Sequence, residues 1–232
     1  MEDAAMDRRR NTDVIVETVA VAGLRVIDIG CGDGHLTRHL ARHGAHVLGV
    51  ECSPRQLAKA NAAKREADEE IVEGVGQALP AADGGYDLAV FFNSLHHIPV
   101  ELQMAALAEA ARVLKSGGMV YVSEPLPEGR FFEAVRPIDD ETAVRAAAYG
   151  AILAAETVGL RPLRELTYVH TLAMADYESF RERIISANTE REHRFAIQDA
   201  DMRALFAAKA SRAADGTFTF DQPMRVNLLV KN

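Results

Sequence analysis

Short apolar runs alternate with helical patterns along the first half of the chain. Val26-Ile27-Asp28-Ile29 is apolar but for Asp28 and stops at glycines, and a helical pattern follows over His35–Arg42. Val47–Val50 is a second apolar run, ending in Glu51. Ser53-Pro54 then supplies a cap and a first-turn proline for a helix over Gln56–Ala67. Glu70–Glu73, Tyr86–Phe92 and Met119–Ser123 predict three more strands. A long helix, Val100–Leu114, stands before the last of these and is ended by Ser116-Gly117-Gly118. Ahead of the first strand, Thr12 or Asp13 caps a helix with Val14, Ile15, Thr18, Val19 and Ala22 at helical spacing, and residues 1–10 form a loose charged lead. This alternation predicts an α/β fold, a parallel sheet with helices on both faces and the ligand beyond the strand C-termini.

Past Pro125 the texture changes. A loop leads to a helical turn at Arg130–Val135, then to an alanine-rich helix over Asp140–Val158 that Gly159 ends. Leu163–Met174 alternates as a strand. Asp176–Asn188 and Gln198–Ala213 are amphipathic helices, and Thr217–Phe220 with Met224–Val230 close the sheet as an antiparallel hairpin partner. The domain expectation is therefore one domain over 1–232. It has a cofactor-type core at 12–125, a variable cap region at 126–216 that includes an insertion at 175–216, and closing strands at 217–232.

The first glycine turn carries the chemistry. Gly30, Gly32 and Gly34 follow G-x-G-x-G spacing, unlike the G-x-G-x-x-G of a dinucleotide fingerprint. Glycine permits a sharp turn and lets a ligand approach bare backbone. Asp28 and Asp33 flank that turn and would repel a pyrophosphate, whereas an ammonium group suits them. Glu51, at the end of the second strand, is placed to accept from both ribose hydroxyls. Ribose plus ammonium without phosphate points to S-adenosylmethionine, and counts against a nicotinamide oxidoreductase.

Val26-Ile-Asp-Ile-Gly-Cys-Gly-Asp-Gly34 with Gly49-Val50-Glu51 resembles the first two motifs of the class I S-adenosylmethionine-dependent methyltransferases. Tyr86–Val90 and Ala110–Gly118 resemble its later motifs. The resemblance covers roughly residues 10–125 and is nearest the small-molecule, type 11-like domains. It implies a Rossmann-like class I methyltransferase fold: a seven-stranded, mostly parallel sheet with an antiparallel last strand and a helical cap insertion. It also implies that backbone at Gly30, Cys31 and Gly32 approaches the methionine moiety, that Asp28 holds its amino group, and that Glu51 takes the ribose while Cys52 packs on adenine. Many relatives have an aspartate where this chain has Val75, so the adenine falls to Gly76, Gln77 and Ala78. Asn93, in Phe91-Phe92-Asn93-Ser94-Leu95-His96-His97-Ile98-Pro99, lines the methyl end. That stretch matches neither the N-P-P-aromatic motif nor a Pro-Cys pair, but resembles enzymes acting on quinone precursors, sugars and sterols.

The implied reaction moves a methyl group from S-adenosylmethionine to an O, N or C atom of a small organic acceptor, releasing S-adenosylhomocysteine. In-line displacement needs alignment rather than a covalent intermediate. A hydroxyl or ammonium acceptor must also lose a proton, for which His96 or His97 is the candidate base, with Glu124 as partner or substitute. The alternatives are a protein or RNA methyltransferase, or a non-catalytic S-adenosylmethionine-binding protein. No metal is implied, since His35, His39 and His43 lie on one helix face without acidic or cysteine partners. Phe131, Phe132, Tyr149, Tyr168, His170, Tyr177 and Phe180 are spread over the variable half as pocket candidates or core, and Arg181 and Arg183 as holders of an anion or a solvated face.

Composition narrows the setting. The formal charge is −8, which argues against a nucleic-acid backbone as partner. With two cysteines there is no disulfide framework, the first ten residues carry no apolar leader, and no run is long enough to span a membrane. A cytoplasmic protein with a small-molecule acceptor is expected, and the sequence carries no signal for an oligomeric state.

Overall fold

The computed structural model describes residues 6–187 and 190–232. The elements run α1 (Asn11–Thr18), β1 (Arg25–Ile29), α2 (His35–Arg42), β2 (His46–Glu51), α3 (Pro54–Ala62), β3 (Glu69–Glu73) and β4 (Tyr86–Phe92). They continue through α4 (Gln103–Val113), β5 (Leu114–Pro125), α5 (Gly129–Val135), α6 (Thr142–Leu153) and β6 (Leu160–Met174). The last are α7 (Tyr177–Ala187), α8 (Glu190–Lys209), β7 (Ser211–Arg212) and β8 (Phe218–Lys231). Strand order is β3-β2-β1-β4-β5-β8-β6, with β7 paired to β8 off that path. The sheet is the expected mostly parallel one with antiparallel last strands. The chain divides into two compact units. The larger holds 11–124, 144–166 and 225–232, and the smaller holds 1–10, 125–143 and 167–224.

In the larger unit β1 lies between β2 and β4, so both of its edges are paired, and Val26 to Ile29 are all buried, which matches a run that is nearly all apolar. Ile27, Ile29, Phe91, Leu107, Val120 and Val122 are at most 1% exposed in one cluster. Each such side chain contributes about 1.5–3 kcal/mol by leaving water. This core fixes the strand ends on which the polar groups sit.

Several boundaries differ from the sequence reading. α3 stops at Ala62 rather than Ala67, because residues 61–68 are all exposed and no apolar anchor holds a further turn. Ser53 caps it as expected, accepting from Gln56 N–H. Ser116-Gly117-Gly118 does not cap a helix. α4 gives way at Leu114, and β5 partners skip from Leu114 to Met119, so these residues bulge out of the ladder, with Gly117 at φ 74°. The α6 helix is shorter than 140–158; a separate 3-10 turn at Ala155–Val158 precedes Gly159, whose φ is 81°.

The smaller unit holds α5, α7, α8, β7 and parts of β6 and β8. Its core is aromatic: Phe180 stacks on Phe220 at 5.5 Å and meets Phe131, Phe195 and Phe206 edge-on or tilted. Phe131, Tyr177 and Phe180 are thus packing residues rather than the lining of an open pocket. α8 begins well before Gln198, which is only a kink between the buried anchors Phe195 and Met202. Asn188, read as the end of a helix, lies outside the described residues. β8 runs unbroken through Asp221-Gln222-Pro223, which the sequence read as a gap between two strands. The buried Gln222 amide donates to the carbonyls of Leu126, Glu128 and Pro223 and holds the chain extended there. Residues 1–5 of the expected loose lead lie outside the described residues. Asp7–Arg9 is not loose: it exchanges backbone hydrogen bonds with Val169, and Arg8 makes a bidentate ion pair with Asp221.

Candidate functional site

The ends of β1 and β2 are sewn together by backbone. Gly30 and Cys31 N–H groups both donate to Val50 C=O, at 2.8 and 3.1 Å. Gly30 has φ 73°, and a Cβ there would lie 2.7 Å from Ser94 Cβ. Ser94 in turn donates to Ile29 C=O at 2.6 Å, so the loop after β4 crosses directly over the glycine. Gly32, at φ 59°, is different: a Cβ there meets nothing within 4 Å. One glycine is needed for protein packing, and the other opens backbone to space.

Asp28 sits on β1 and is fully buried. Its Oδ2 accepts from the Thr37 hydroxyl at 2.7 Å, while its Oδ1 has no hydrogen-bond partner among the described residues. Burial pushes its pKa up to about 7. The Thr37 bond opposes that rise, and Glu51 adds to it. Asp33, the second acidic residue of the turn, is exposed and accepts from His35 N–H, so it serves the start of α2. Cys31 is buried with its sulfur against Gly49, and burial pushes its thiol pKa up, which makes it an inert wall.

Glu51 binds the turn from the other side. Its Oε2 accepts from Gly32 N–H at 2.8 Å, and its Oε1 from Cys52 and Ser53 N–H at 2.9 and 2.7 Å. A carboxylate offers about four lone-pair positions, so these bonds leave one for a further donor. Cys52 is exposed beside it. Val75 and Ala78 form a small bridge, with Ala78 N–H on Val75 C=O. Between them, a Cβ on Gly76 would meet Ile98 Cδ1 at 2.8 Å and Ile29 Cγ2 at 3.2 Å. The Gly76-Gln77-Ala78 segment therefore reaches back to the end of β1.

Beyond β4, Asn93 is the one non-glycine residue with positive φ (55°) among the described residues. Its N–H donates to Ser123 C=O, and its buried Oδ1 has no hydrogen-bond partner among the described residues. An asparagine tolerates this conformation better than most residues, and such outliers gather at functional sites. Glu124, buried at the end of β5, accepts from Leu95 N–H on Oε1 and is paired through Oε2 with His96 Nδ1. His96 is buried, and its ring meets that of the exposed His97 at 4.0 Å and a tilt of 43°.

The residues singled out from the sequence for the cofactor and for proton transfer thus all lie in the larger unit, at or near the C-terminal ends of β1 to β5, whereas Phe131, Phe132, Tyr168, His170, Tyr177, Phe180, Arg181 and Arg183 belong to the smaller unit. Sequence reasoning missed two supporting residues. Thr37 looks like an ordinary polar position on α2, and Ser94 looks like loop. Only the contacts to Asp28 and Gly30 reveal them.

The methyltransferase domain model matches residues 27–122. An uncharacterized methyltransferase of Synechocystis sp. is 36% identical over 106 residues, 45% of this chain and 49% of that protein. The ubiquinone biosynthesis O-methyltransferase of Xylella fastidiosa is 32% identical over 115 residues, 48% of this chain and 46% of that one. The chain spans about half the length of the curated relatives it matches. Among solved structures, the YcgJ protein of Bacillus subtilis superimposes with a TM-score of 0.64 at 19% identity, over 96% of this chain and 98% of its own. Strand order, glycine turn and matched segment agree: residues 27–122 are a methyltransferase domain, within a chain that has the class I methyltransferase fold.

Proposed function

We propose that the chain binds S-adenosylmethionine across the ends of β1–β4 and transfers its methyl group to a small organic acceptor, releasing S-adenosylhomocysteine. The observation that carries this reading is the buried Oδ1 of Asp28, without a partner beside a glycine turn whose Gly32 opens to space. A buried acceptor left without a donor costs about 1–3 kcal/mol, which a ligand ammonium would recover. The residues present therefore fit the cofactor, which when bound supplies an electrophilic methyl on a sulfonium.

Asp28 then takes the ammonium group, and the Gly30–Gly32 backbone admits the methionine end. Glu51 accepts a ribose hydroxyl at its remaining lone-pair position; to take both hydroxyls it would release Gly32 N–H. Cys52 lies on one adenine face, and Gly76, Gln77 and Ala78 border the ring. Asn93 Oδ1 faces the methionine end. For the acceptor, the relatives named O-methyltransferases favour a hydroxyl, which must lose its proton. The His96–Glu124 pair takes that proton on this reading: Glu124 positions the ring, and the imidazolium is stabilised by the buried carboxylate. His97 packs on His96 as the second candidate base.

Parallel calorimetric titrations with S-adenosylmethionine, S-adenosylhomocysteine and NADH test the proposal. Saturable binding of the first two and none of the third is expected. Binding of NADH alone, or of none, overturns it.

A further inference from the structure

The sheet ends on β6, the last strand in the order. Between residues 160 and 166 its open side carries five consecutive exposed residues, Arg161-Pro162-Leu163-Arg164-Glu165. Leu163 is 52% exposed. Leu153, at the end of α6, is 61% exposed and lines the same groove of about 240 Å³. An open edge strand with an apolar patch is a ready template for another strand.

The charges on this edge select the partner. We propose that β6 pairs antiparallel with β6 of a second copy of this chain, about a two-fold axis through Leu163. A two-fold normal to the sheet keeps each residue on its own face, so the axis must pass through a residue. An axis through Arg161 or Arg164 sets like charges directly opposite, and one through Pro162 aligns two prolines. Centred on Leu163, the register places Leu163 against Leu163, and Arg161 of each copy opposite Glu165 of the other. Glu165 is prepared for this. Its Oε2 accepts from Tyr149 and Asn227, which fix the side chain, while Oε1 accepts no bond among the described residues. Arg161 makes no ion pair or side-chain hydrogen bond among the described residues.

Light scattering and sedimentation across a concentration series test the pairing. The wild-type chain should sediment at twice its 25.3 kDa mass. Leu163→Lys, an exposed change that spares the core, should return it to a monomer. Arg161→Glu and Glu165→Arg each create like-charge pairs and should weaken self-association roughly tenfold or more. Mixed in equal amounts, those two variants regain both opposite-charge pairs and should form a heterodimer. A monomeric wild type, a dimer indifferent to Leu163→Lys, or a mixture that stays monomeric overturns the proposal. An interface with a different protein would appear as the first of these.

Discussion

The two units bury similar kinds of apolar side chain but treat their buried polar groups differently. In the smaller unit the fully buried Gln222 donates to three carbonyls and holds its own backbone, and the rings from Phe131 to Phe220 pack on one another. In the larger unit Asp28, Asn93, Glu51, His96 and Glu124 gather at the strand ends, and two of them keep a buried oxygen without a partner. Gln222 Oε1 is itself buried without a hydrogen-bond partner among the described residues, so what separates the units is the setting: Asp28 and Asn93 stand at strand ends beside the glycine turn and the loop after β4, and Gln222 stands inside an unbroken strand. The contrast separates a unit packed on its own rings from the unit that carries the proposed site.

The largest expected effect breaks the packing side of that contrast. Phe180→Ala removes the ring at the centre of the aromatic cluster and should cost about 3–5 kcal/mol of stability by denaturant titration. Below the transition, affinity for S-adenosylmethionine should be unchanged, since the Asp28 site lies in the other unit. A folded Phe180→Ala protein with much weaker cofactor binding would show that the smaller unit shapes the cofactor site.

Next in size is the pH dependence of Asp28. Its pKa is raised from 3.8 to about 7 in the folded chain, chiefly by burial. Between those values the unfolded chain has lost the proton and the folded chain keeps it, so stability falls as pH rises through that window. The full penalty, roughly 4 kcal/mol at about 1.4 per pH unit, is present above it. Asp28→Asn should flatten the slope and also weaken cofactor binding. In the wild type an ammonium favours the ionised carboxylate, so binding at about pH 6 should release a proton, and binding well above pH 7 should not. Calorimetry in buffers of different ionisation enthalpy reads this directly. No proton release at either pH would remove Asp28 as the ammonium partner.

Smaller, and confined to turnover, is the proton-transfer pair. His96→Ala should lower kcat by about 100-fold or more while S-adenosylmethionine affinity holds, and Glu124→Gln should shift the pH profile as well as the rate. Full turnover in both His96→Ala and His97→Ala would mean that neither is the base.

The legibility of the chain follows the same division. Asp28, Gly30, Gly32 and Glu51 are readable because a glycine turn after an apolar strand restricts residue types to a few, and each type announces its chemistry. Tyr86–Phe92 is readable to the residue because a buried strand has sharp polar boundaries. The Ser116–Gly118 bulge was not readable, because glycine marks a helix end and a bulge alike. Neither was the unbroken β8, since Asp-Gln-Pro is a turn signal until Gln222 finds its carbonyls across the fold. Thr37 and Ser94 act only through long-range contacts, which leave no local pattern. In the smaller unit the aromatic residues announce burial but not which face they bury, and so pocket and core looked alike.

The smallest effect sharpens the role of Glu51. Its carboxylate serves three backbone N–H groups, so Glu51→Ala would strip the turn of its bonds and mix folding with binding. Glu51→Gln is the cleaner change. Its amide oxygen can keep the two donors on the Cys52–Ser53 side, while its NH₂ replaces the oxygen that faces Gly32 and the ribose. Stability should then fall only by the one lost Gly32 bond, less than in Glu51→Ala, and affinity for S-adenosylmethionine should fall by about 1.5–3 kcal/mol, the value of one hydrogen bond to a charged group. Methylthioadenosine, which keeps the ribose and lacks the ammonium, should lose as much on this substitution and nothing on Asp28→Asn. Equal losses for both ligands in both variants would mean that the two carboxylates act as one electrostatic patch, rather than as separate holders of ribose and ammonium.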